Sequence, residues 1–279
     1  METASTEAAA PAREILITRV LTVSFTVLFR NFGRLFLLAC LGSLPLLGDS
    51  VVTAIAFNGG MTGGRGTNSE FLTPWLGVIT WIGIGLIILG NTAGFAAIFH
   101  ATSRLLSGEE MSIWQSFKHG LARTPRLIIP FLIIVLLVAL TVGSALTLLG
   151  IWPERYNPLL FVILIPGVLL LAMWFVAMPA CVVERVGVGK SLERSRKLTQ
   201  DNRVKILVIF VATAIVIALV NITALQVEKV APLAVKLGAG LAYGGFIGAF
   251  WAVVLAVTYH ELRQVKEGAE VTGIATIFD

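Results

Sequence analysis

The chain has 279 residues, of which 57% are hydrophobic and 13% charged, and its mean hydropathy is +0.90. This composition excludes an ordinary soluble domain and indicates an integral membrane protein. The formal net charge is +5, from 21 Lys and Arg against 16 Asp and Glu, and the bases are clustered along the chain.

The first dozen residues are expected to be a disordered tail. Residues 1–12 carry Glu2 and Glu7 but no base, which is the wrong charge for the start of a secretory signal peptide. Residues 13–268 are predicted to form one transmembrane domain, followed by a cytoplasmic tail at 269–279.

Six apolar segments are long enough to cross the hydrocarbon core, which takes about 20 residues at about 1.5 Å rise per residue. They lie at about residues 35–57, 75–99, 127–150, 159–183, 206–226 and 237–259. The predicted fold is all-α and polytopic, with six transmembrane helices. Pro166 and Gly167 fall at the centre of the fourth span, which they are expected to kink or locally unwind.

The distribution of bases predicts the orientation. Seventeen of the 21 Lys and Arg fall in the N-terminal segment, in the second and fourth joints between spans, and in the tail. The other four are Arg65, Arg155, Lys229 and Lys236. Because Lys and Arg accumulate on the cytoplasmic side, we expect both termini to be cytoplasmic and the protein to lie in the inner (plasma) membrane.

The fourth joint, residues 184–205, holds seven bases against three acids. It is either a topology determinant alone or a segment that binds anionic headgroups on the cytoplasmic leaflet. Nucleic acid is not the expected partner, because the segment has no aromatic residue to interleave with its bases. The candidate headgroup ligands, with those of the second joint, are Lys190, Arg194, Arg196, Lys197, Arg203, Lys205, Lys118, Arg123 and Arg126.

An internal repeat is visible at an offset of 79 residues. It aligns residues 108–127 with 187–206 and pairs Gly108 with Gly187 and Ser116 with Ser195. In each copy a Gly precedes a short helix with a basic face, and residues 14–34 take the same place before the first span. The chain is therefore predicted to contain three units, each an interfacial amphipathic helix followed by a transmembrane hairpin. Their bounds are about 14–107, 108–183 and 184–268.

Small residues recur every fourth position in the last span, at Gly240, Gly244 and Gly248. This spacing lets helix backbones approach closely, either within one chain or in a homo-oligomer.

Three polar residues are placed at similar depth in the outer half of the membrane: Asp49, Asn91 and Asn221. Their side chains are expected to form a polar pocket for a headgroup or small solute. The alternative is that Asp49 lies at the outer interface of the membrane.

Catalytic patterns are not found in the sequence. His100, His119 and His260 lie far apart along the chain, and we expect them to serve packing or the interface rather than a metal. Cys40 and Cys181 sit in apolar runs and are expected to behave as buried hydrophobes. We therefore expect no cofactor and no enzymatic activity.

Two stretches carry a family resemblance: WFVAMPACVVERVGVGKSLERSRKLTQDNRVKIL at 174–207 and VTYHELRQVKEG at 257–268. They resemble the membrane domain of the glycerophosphoryl diester phosphodiesterase family and related stand-alone prokaryotic membrane proteins. The matching residues are Pro179, Glu184, Gly187, Ser195, Leu198 and Thr199, then Tyr259, Glu261, Leu262, Arg263, Lys266, Glu267 and Gly268, with Arg30, Asn31, Phe32 and Gly33 near the N-terminus.

The resemblance does not imply an activity, because the catalytic barrel of such phosphodiesterases is not in this sequence. It implies an inner-face motif of Pro179, Glu184, Tyr259, Arg263 and Glu267. Glu184 and Glu267 are expected to pair with Arg194 or Arg263 and so clamp the basic helix against the last span.

The preferred hypothesis is a non-enzymatic accessory or scaffold protein that contacts anionic lipid in envelope or lipid homeostasis. The alternative is a small-solute or lipid transporter or channel that uses a polar layer around Asp49. An intramembrane enzyme would need a reactive group and a base at one depth, which the sequence does not offer.

Overall fold

The computed structural model describes residues 15–58, 69–110, 112–148, 159–230 and 232–278. The tail predicted at residues 1–12 lies outside the described residues. Over the described ranges the chain is all-helical, with nine helices and no strand. They are α1 (Ile17–Arg30), α2 (Phe32–Asn58), α3 (Ser69–Leu106), α4 (Ile113–Leu148), α5 (Leu159–Trp174), α6 (Ala177–Val183), α7 (Val188–Thr199), α8 (Arg203–Val230) and α9 (Leu233–Phe278).

Five segments of the described chain are long and apolar enough to cross a membrane. They are Trp81–Leu106, Ile113–Ser144, Leu164–Val183, Arg203–Ala224 and Val235–Gly268. A sixth results if α1 and the start of α2 form one broken span, although the two helices are bent by 87°.

The outer surface of the bundle is apolar, as expected for a membrane protein. Trp81 on α3 is 75% exposed and Leu219 on α8 is 60% exposed. A soluble monomer does not normally expose so many large apolar side chains, whereas lipid solvates them.

The interruption of the fourth span lies further along the chain than the sequence predicts. α5 runs through Pro166 and Gly167 as one helix and ends at Trp174, and two residues separate it from α6, which begins at Ala177. The missing N–H of a proline is tolerated in an apolar helix when neighbouring groups satisfy the backbone. The span therefore breaks where another helix docks rather than where the proline lies.

The second predicted interfacial helix is not a separate helix. From Ile113 to Leu148 the chain forms the single helix α4, so the basic segment before the third span continues directly into it. Gly120 lets this segment approach α3 closely, because a Cβ at this position would lie 2.6 Å from the backbone N of Ala97 on α3. The start of α4 is thus held closely along α3. By contrast, α1 and α7 are separate helices, as predicted for the first and third units.

The core lies between α2, α3 and α9. Residues 96–99 of α3 and 252–257 of α9 are almost completely buried. Gly42 of α2 lets the backbones of α2 and α3 meet, because an added Cβ would lie 2.9 Å from the Cα of Gly94. The small residues thus serve helix packing, as lipid-embedded helices require.

Candidate functional site

The candidate site lies at one end of the bundle, which we call the basic end. It comprises the end of α3, the start of α4, the end of α6, the whole of α7, the start of α8 and the residues of α9 around Arg263. Hydrogen bonds and ion pairs join these segments. Lys266 of α9, for example, donates to Asp201, just before α8, at 2.9 Å.

Helix α7 docks on the bundle through a face of small hydroxyl side chains. Ser191, Ser195 and Thr199 are buried, together with Leu198. Ser195 and Thr199 donate hydrogen bonds to the carbonyl oxygen of Met173 at 2.8 Å and 3.3 Å. This carbonyl lies in the last turn of α5, where no intrahelical donor follows. The hydroxyl face therefore fastens α7 to the break in the fourth span.

A cluster of charged side chains ties α7 to α9. Arg194 donates from Nε to Oε1 of Glu184 at 2.8 Å and from Nη2 to Glu267, and Tyr259 donates to the same Glu184 oxygen at 2.6 Å. Arg263 donates from Nε to Glu267 at 2.5 Å. We call Glu184, Arg194, Tyr259, Arg263 and Glu267 the clamp. The predicted pairing of Glu184 and Glu267 with Arg194 or Arg263 is confirmed: Glu184 pairs with Arg194, and Glu267 pairs with both arginines.

The clamp stabilises the charged form of its central arginine. Burial opposes the charge on Arg194, but the hydrogen bonds from Arg194 to Glu184 and Glu267 outweigh it and raise the pKa of Arg194 above its ordinary value. Its side chain is 29% exposed and that of Glu184 19%. Because the two arginines and the two glutamates of the clamp neutralise one another, the clamp positions α7 rather than presenting a net charge.

Residues in left-handed backbone conformation flank α7 on both sides. Arg185 has φ +57° and Asp201 has φ +70°. Non-glycine residues adopt this conformation at a cost, so the surrounding contacts must hold both turns. For Asp201 that contact is the ion pair with Lys266.

The face of α7 that points away from the bundle is basic. Lys190, Arg196 and Lys197 are exposed, and the only acid among them is Glu193. Lys197 pairs with Glu193 at 2.8 Å, and this hydrogen bond lowers the pKa of Glu193. We call Lys190, Arg196 and Lys197 the exposed bases of α7.

The other predicted headgroup ligands have varied surroundings. Lys118 lies over the ring of Trp114, with 5.2 Å from Nζ to the ring centroid, and Arg126 is exposed. Arg123 donates to the carbonyl oxygen of Val182 near the end of α6. Arg203 and Lys205 are half-buried in the first turn of α8. Arg123, like Arg194, is therefore committed to a contact within the protein.

A cleft of about 710 Å³ opens at the basic end between α3, α6 and α9. Pro179, Tyr259, Arg263 and Glu267 of the inner-face motif line it, and the fifth residue of that motif, Glu184, bonds Tyr259 behind it. The structure thus brings all five residues of the motif together.

The predicted polar layer does not form a single described cluster. The Asp49 side chain lies outside the described part of the structure. Asn91 donates to the carbonyl of Ile87 in its own helix at 2.9 Å, and Asn221 is exposed on α8, where it hydrogen-bonds Tyr243 of α9. No described contact joins Asn91 to Asn221.

Two glycines of the last span are used within the chain. A Cβ at Gly244 would lie 3.6 Å from Ser43 Oγ, and one at Gly248 would lie 3.8 Å from Ala39 Cβ, both on α2. At Gly240 a Cβ would meet nothing within 4 Å. That Gly240, Gly244 and Gly248 pack in a homo-oligomer stays a prediction. Of the three, Gly240 is the one with space beside it for another helix.

Two histidines that are distant in sequence meet in space. The rings of His100 and His119 are parallel, with centroids 4.6 Å apart, at the contact of α3 and α4. Among the described residues no group of three or more His, Cys, Asp or Glu side chains is placed to hold a metal. Cys40 and Cys181 are unbridged.

Comparisons with protein-family models, with curated proteins and with solved structures find no match to this chain. The resemblance to the phosphodiesterase membrane domain therefore stays a prediction.

Sequence reasoning missed several contacts of the site. Ser195 and Thr199 are four residues apart, hence on one helix face, and this spacing was a usable signal for a polar contact. Nothing in the sequence indicates that the partner is Met173, or that Arg123 reaches Val182, because both contacts depend on where the fourth span breaks and ends.

Proposed function

We propose that this protein is a non-enzymatic integral membrane protein that contacts anionic lipid through α7, as an accessory or scaffold protein in envelope or lipid homeostasis. In this proposal the basic end faces the cytoplasm and the protein lies in the inner (plasma) membrane. The observation that carries the proposal is the different burial of the two faces of α7. The hydroxyl face is sealed against the bundle and the exposed bases point away from it.

The position of α7 favours lipid over a soluble partner. The helix lies beside the ends of apolar helices, since Glu184 directly follows α6 and Glu267 belongs to the long apolar helix α9. A basic helix at this depth is next to the headgroup layer, where each base near an anionic surface contributes about 1 kcal/mol of attraction.

The clamp supports the same conclusion. Because Arg194 is neutralised by Glu184 and Glu267, α7 keeps its place without using the exposed bases. Among the described ion pairs, one involves these bases, that of Lys197 with Glu193. A helix that is held in place by other side chains suits contact with many headgroups, because its exposed bases need not take part in docking it.

The test replaces Lys190, Arg196 and Lys197 together by Gln in protein reconstituted into vesicles of phosphatidylcholine and phosphatidylglycerol. Spin-labelled lipids report the preference of the protein-contacting lipid for phosphatidylglycerol. Since each base contributes about 1 kcal/mol, we expect a several-fold decrease of this preference. High salt should lower the preference of the unchanged protein in the same way.

The matched control is Lys236→Gln, which changes an exposed base in the first turn of α9, at the other end of the bundle. It should lower the preference by much less than the triple variant does, because it removes one base instead of three. An unaltered preference in the triple variant, with its helix content intact, would contradict the proposal.

A further inference from the structure

The cleft at the basic end has the size of a small-molecule site. Its volume of about 710 Å³ lies in the usual range for ligand pockets, about 300–1,000 Å³. The floor is apolar and buried, and consists of Phe99 at the end of α3, Pro179 of α6 and Ala256 of α9. Because three helices form this floor, it is fixed by the core of the protein.

The rim of the cleft is polar. Ser103 of α3 and His260, Arg263 and Gln264 of α9 line it beyond the apolar floor. Ala256, His260, Arg263 and Gln264 share one face of α9 because they are spaced by three, four, seven and eight residues. From Ala256 to Arg263 the helix rises about 10 Å. The lining thus changes from apolar to charged over about two helical turns, as an amphiphile would require.

The rim offers hydrogen-bond donors to an anionic group. Arg263 uses Nε for Glu267, whereas a guanidinium carries five N–H donors. Glu267 also accepts from Arg194, so the negative charge beside Arg263 is shared between two arginines. Charged donors of this kind bind phosphate or carboxylate oxygens more strongly than neutral donors do, and Ser103 and Gln264 add neutral ones.

We infer that this cleft binds one amphiphilic anion, with a phosphate group held at the rim by Arg263, Ser103 and Gln264 and an acyl chain against Phe99 and Ala256. A membrane phospholipid has this chemistry. The site is separate from the exposed bases of α7, whose side chains do not line it. It therefore goes beyond the proposed contact of α7 with the leaflet and does not depend on it.

The test measures binding of a chain-labelled phosphatidylglycerol to the full-length protein in neutral detergent, by fluorescence anisotropy. Arg263→Gln removes the charged donor and should weaken binding by about tenfold or more. Ala256→Phe fills the floor and should abolish saturable binding. Gln264→Leu lies outside the clamp and should weaken binding several-fold without lowering the melting temperature, so that binding is separated from folding.

The triple Gln variant of the exposed bases of α7 is the matched control and should bind the labelled lipid with unchanged affinity. Loss of binding in this control, with normal binding in Ala256→Phe and Gln264→Leu, would place the lipid on α7 and overturn the cleft site. If millimolar inorganic phosphate displaces the labelled lipid, the cleft is a site for a free anion and the proposal of an amphiphilic ligand is wrong. If the labelled lipid stays bound in phosphate, the proposal is supported.

Discussion

Two glycines that the internal repeat aligns have opposite backbone conformations. Gly108 has φ +75°, whereas Gly187 has φ −72° and directly precedes α7. At both positions an added Cβ would meet nothing within 4 Å, so any difference between substitutions reflects the backbone alone. A left-handed conformation costs an L-residue about 1–2 kcal/mol.

Gly108→Ala should therefore lower the free energy of unfolding by about 1 kcal/mol. Gly187→Ala should lower it by less, because alanine is only a poorer N-cap than glycine, and Gly187→Ser should raise it by a few tenths of a kcal/mol, because α7 begins without a side-chain cap. Thermal unfolding of the three variants in one detergent checks this order. Equal destabilisation by the two alanines would contradict it.

Individual contacts differ in whether the sequence predicts them. The pairing of Glu184 with Arg194 could be predicted, because the two opposite charges are ten residues apart in a short basic segment that must turn at the membrane surface. The stacking of His100 on His119 could not, since it depends on the close approach of α3 and α4 that Gly120 permits.

Among the elements, α7 should depend for its docking on its half-buried Arg194 and not on its exposed bases. Arg194→Gln leaves the half-buried carboxylates of Glu184 and Glu267 without their shared partner. Glu267 keeps Arg263, but Glu184 keeps only the Tyr259 hydroxyl, and a half-buried carboxylate without a cationic partner costs about 1–3 kcal/mol. Lys197→Gln removes only the exposed pair with Glu193, which is worth about 0–1 kcal/mol.

Hydrogen exchange of the α7 amides in detergent measures this difference. Arg194→Gln should speed exchange throughout α7 by roughly fivefold or more, which corresponds to about 1 kcal/mol. Lys197→Gln is the control in the same helix and should leave exchange unchanged. If both variants exchange alike, the clamp does not hold α7.

The helices themselves follow the sequence at their apolar centres and depart from it at their ends. Four of the predicted spans, 35–57, 75–99, 206–226 and 237–259, each lie within one helix, and 159–183 covers the pair α5 and α6. Of the span predicted at 127–150, residues 127–148 lie in α4 and the last two lie outside the described residues. The ends differ because the hydropathy pattern does not contain tertiary contacts. Gly120 keeps the basic start of α4 against α3, and the Met173 carbonyl, bonded by Ser195 and Thr199, marks where α5 ends.

At the scale of the whole molecule, the bundle has two chemically different ends. The basic end carries the clamp, the exposed bases of α7 and the cleft, while Lys236 lies in the first turn of α9, about 46 Å from Glu267 by helical rise. This distance exceeds the hydrocarbon thickness of about 30 Å, so a membrane that separates the two ends fits the length of α9. The proposed contact of α7 with the cytoplasmic leaflet requires that the basic end face the cytoplasm.

Cysteine labelling tests that orientation. Cys40 and Cys181 are first replaced by Ala, and a single cysteine is then introduced as Lys197→Cys or as Lys236→Cys, both at exposed positions. A membrane-impermeant maleimide added to right-side-out vesicles should label the Lys236→Cys protein at once and the Lys197→Cys protein only after detergent is added. Seventeen of the 21 bases would then lie on the protected side, as the charge distribution requires. Labelling of the Lys197→Cys protein in sealed vesicles would reverse the orientation and remove the cytoplasmic leaflet as the partner of α7.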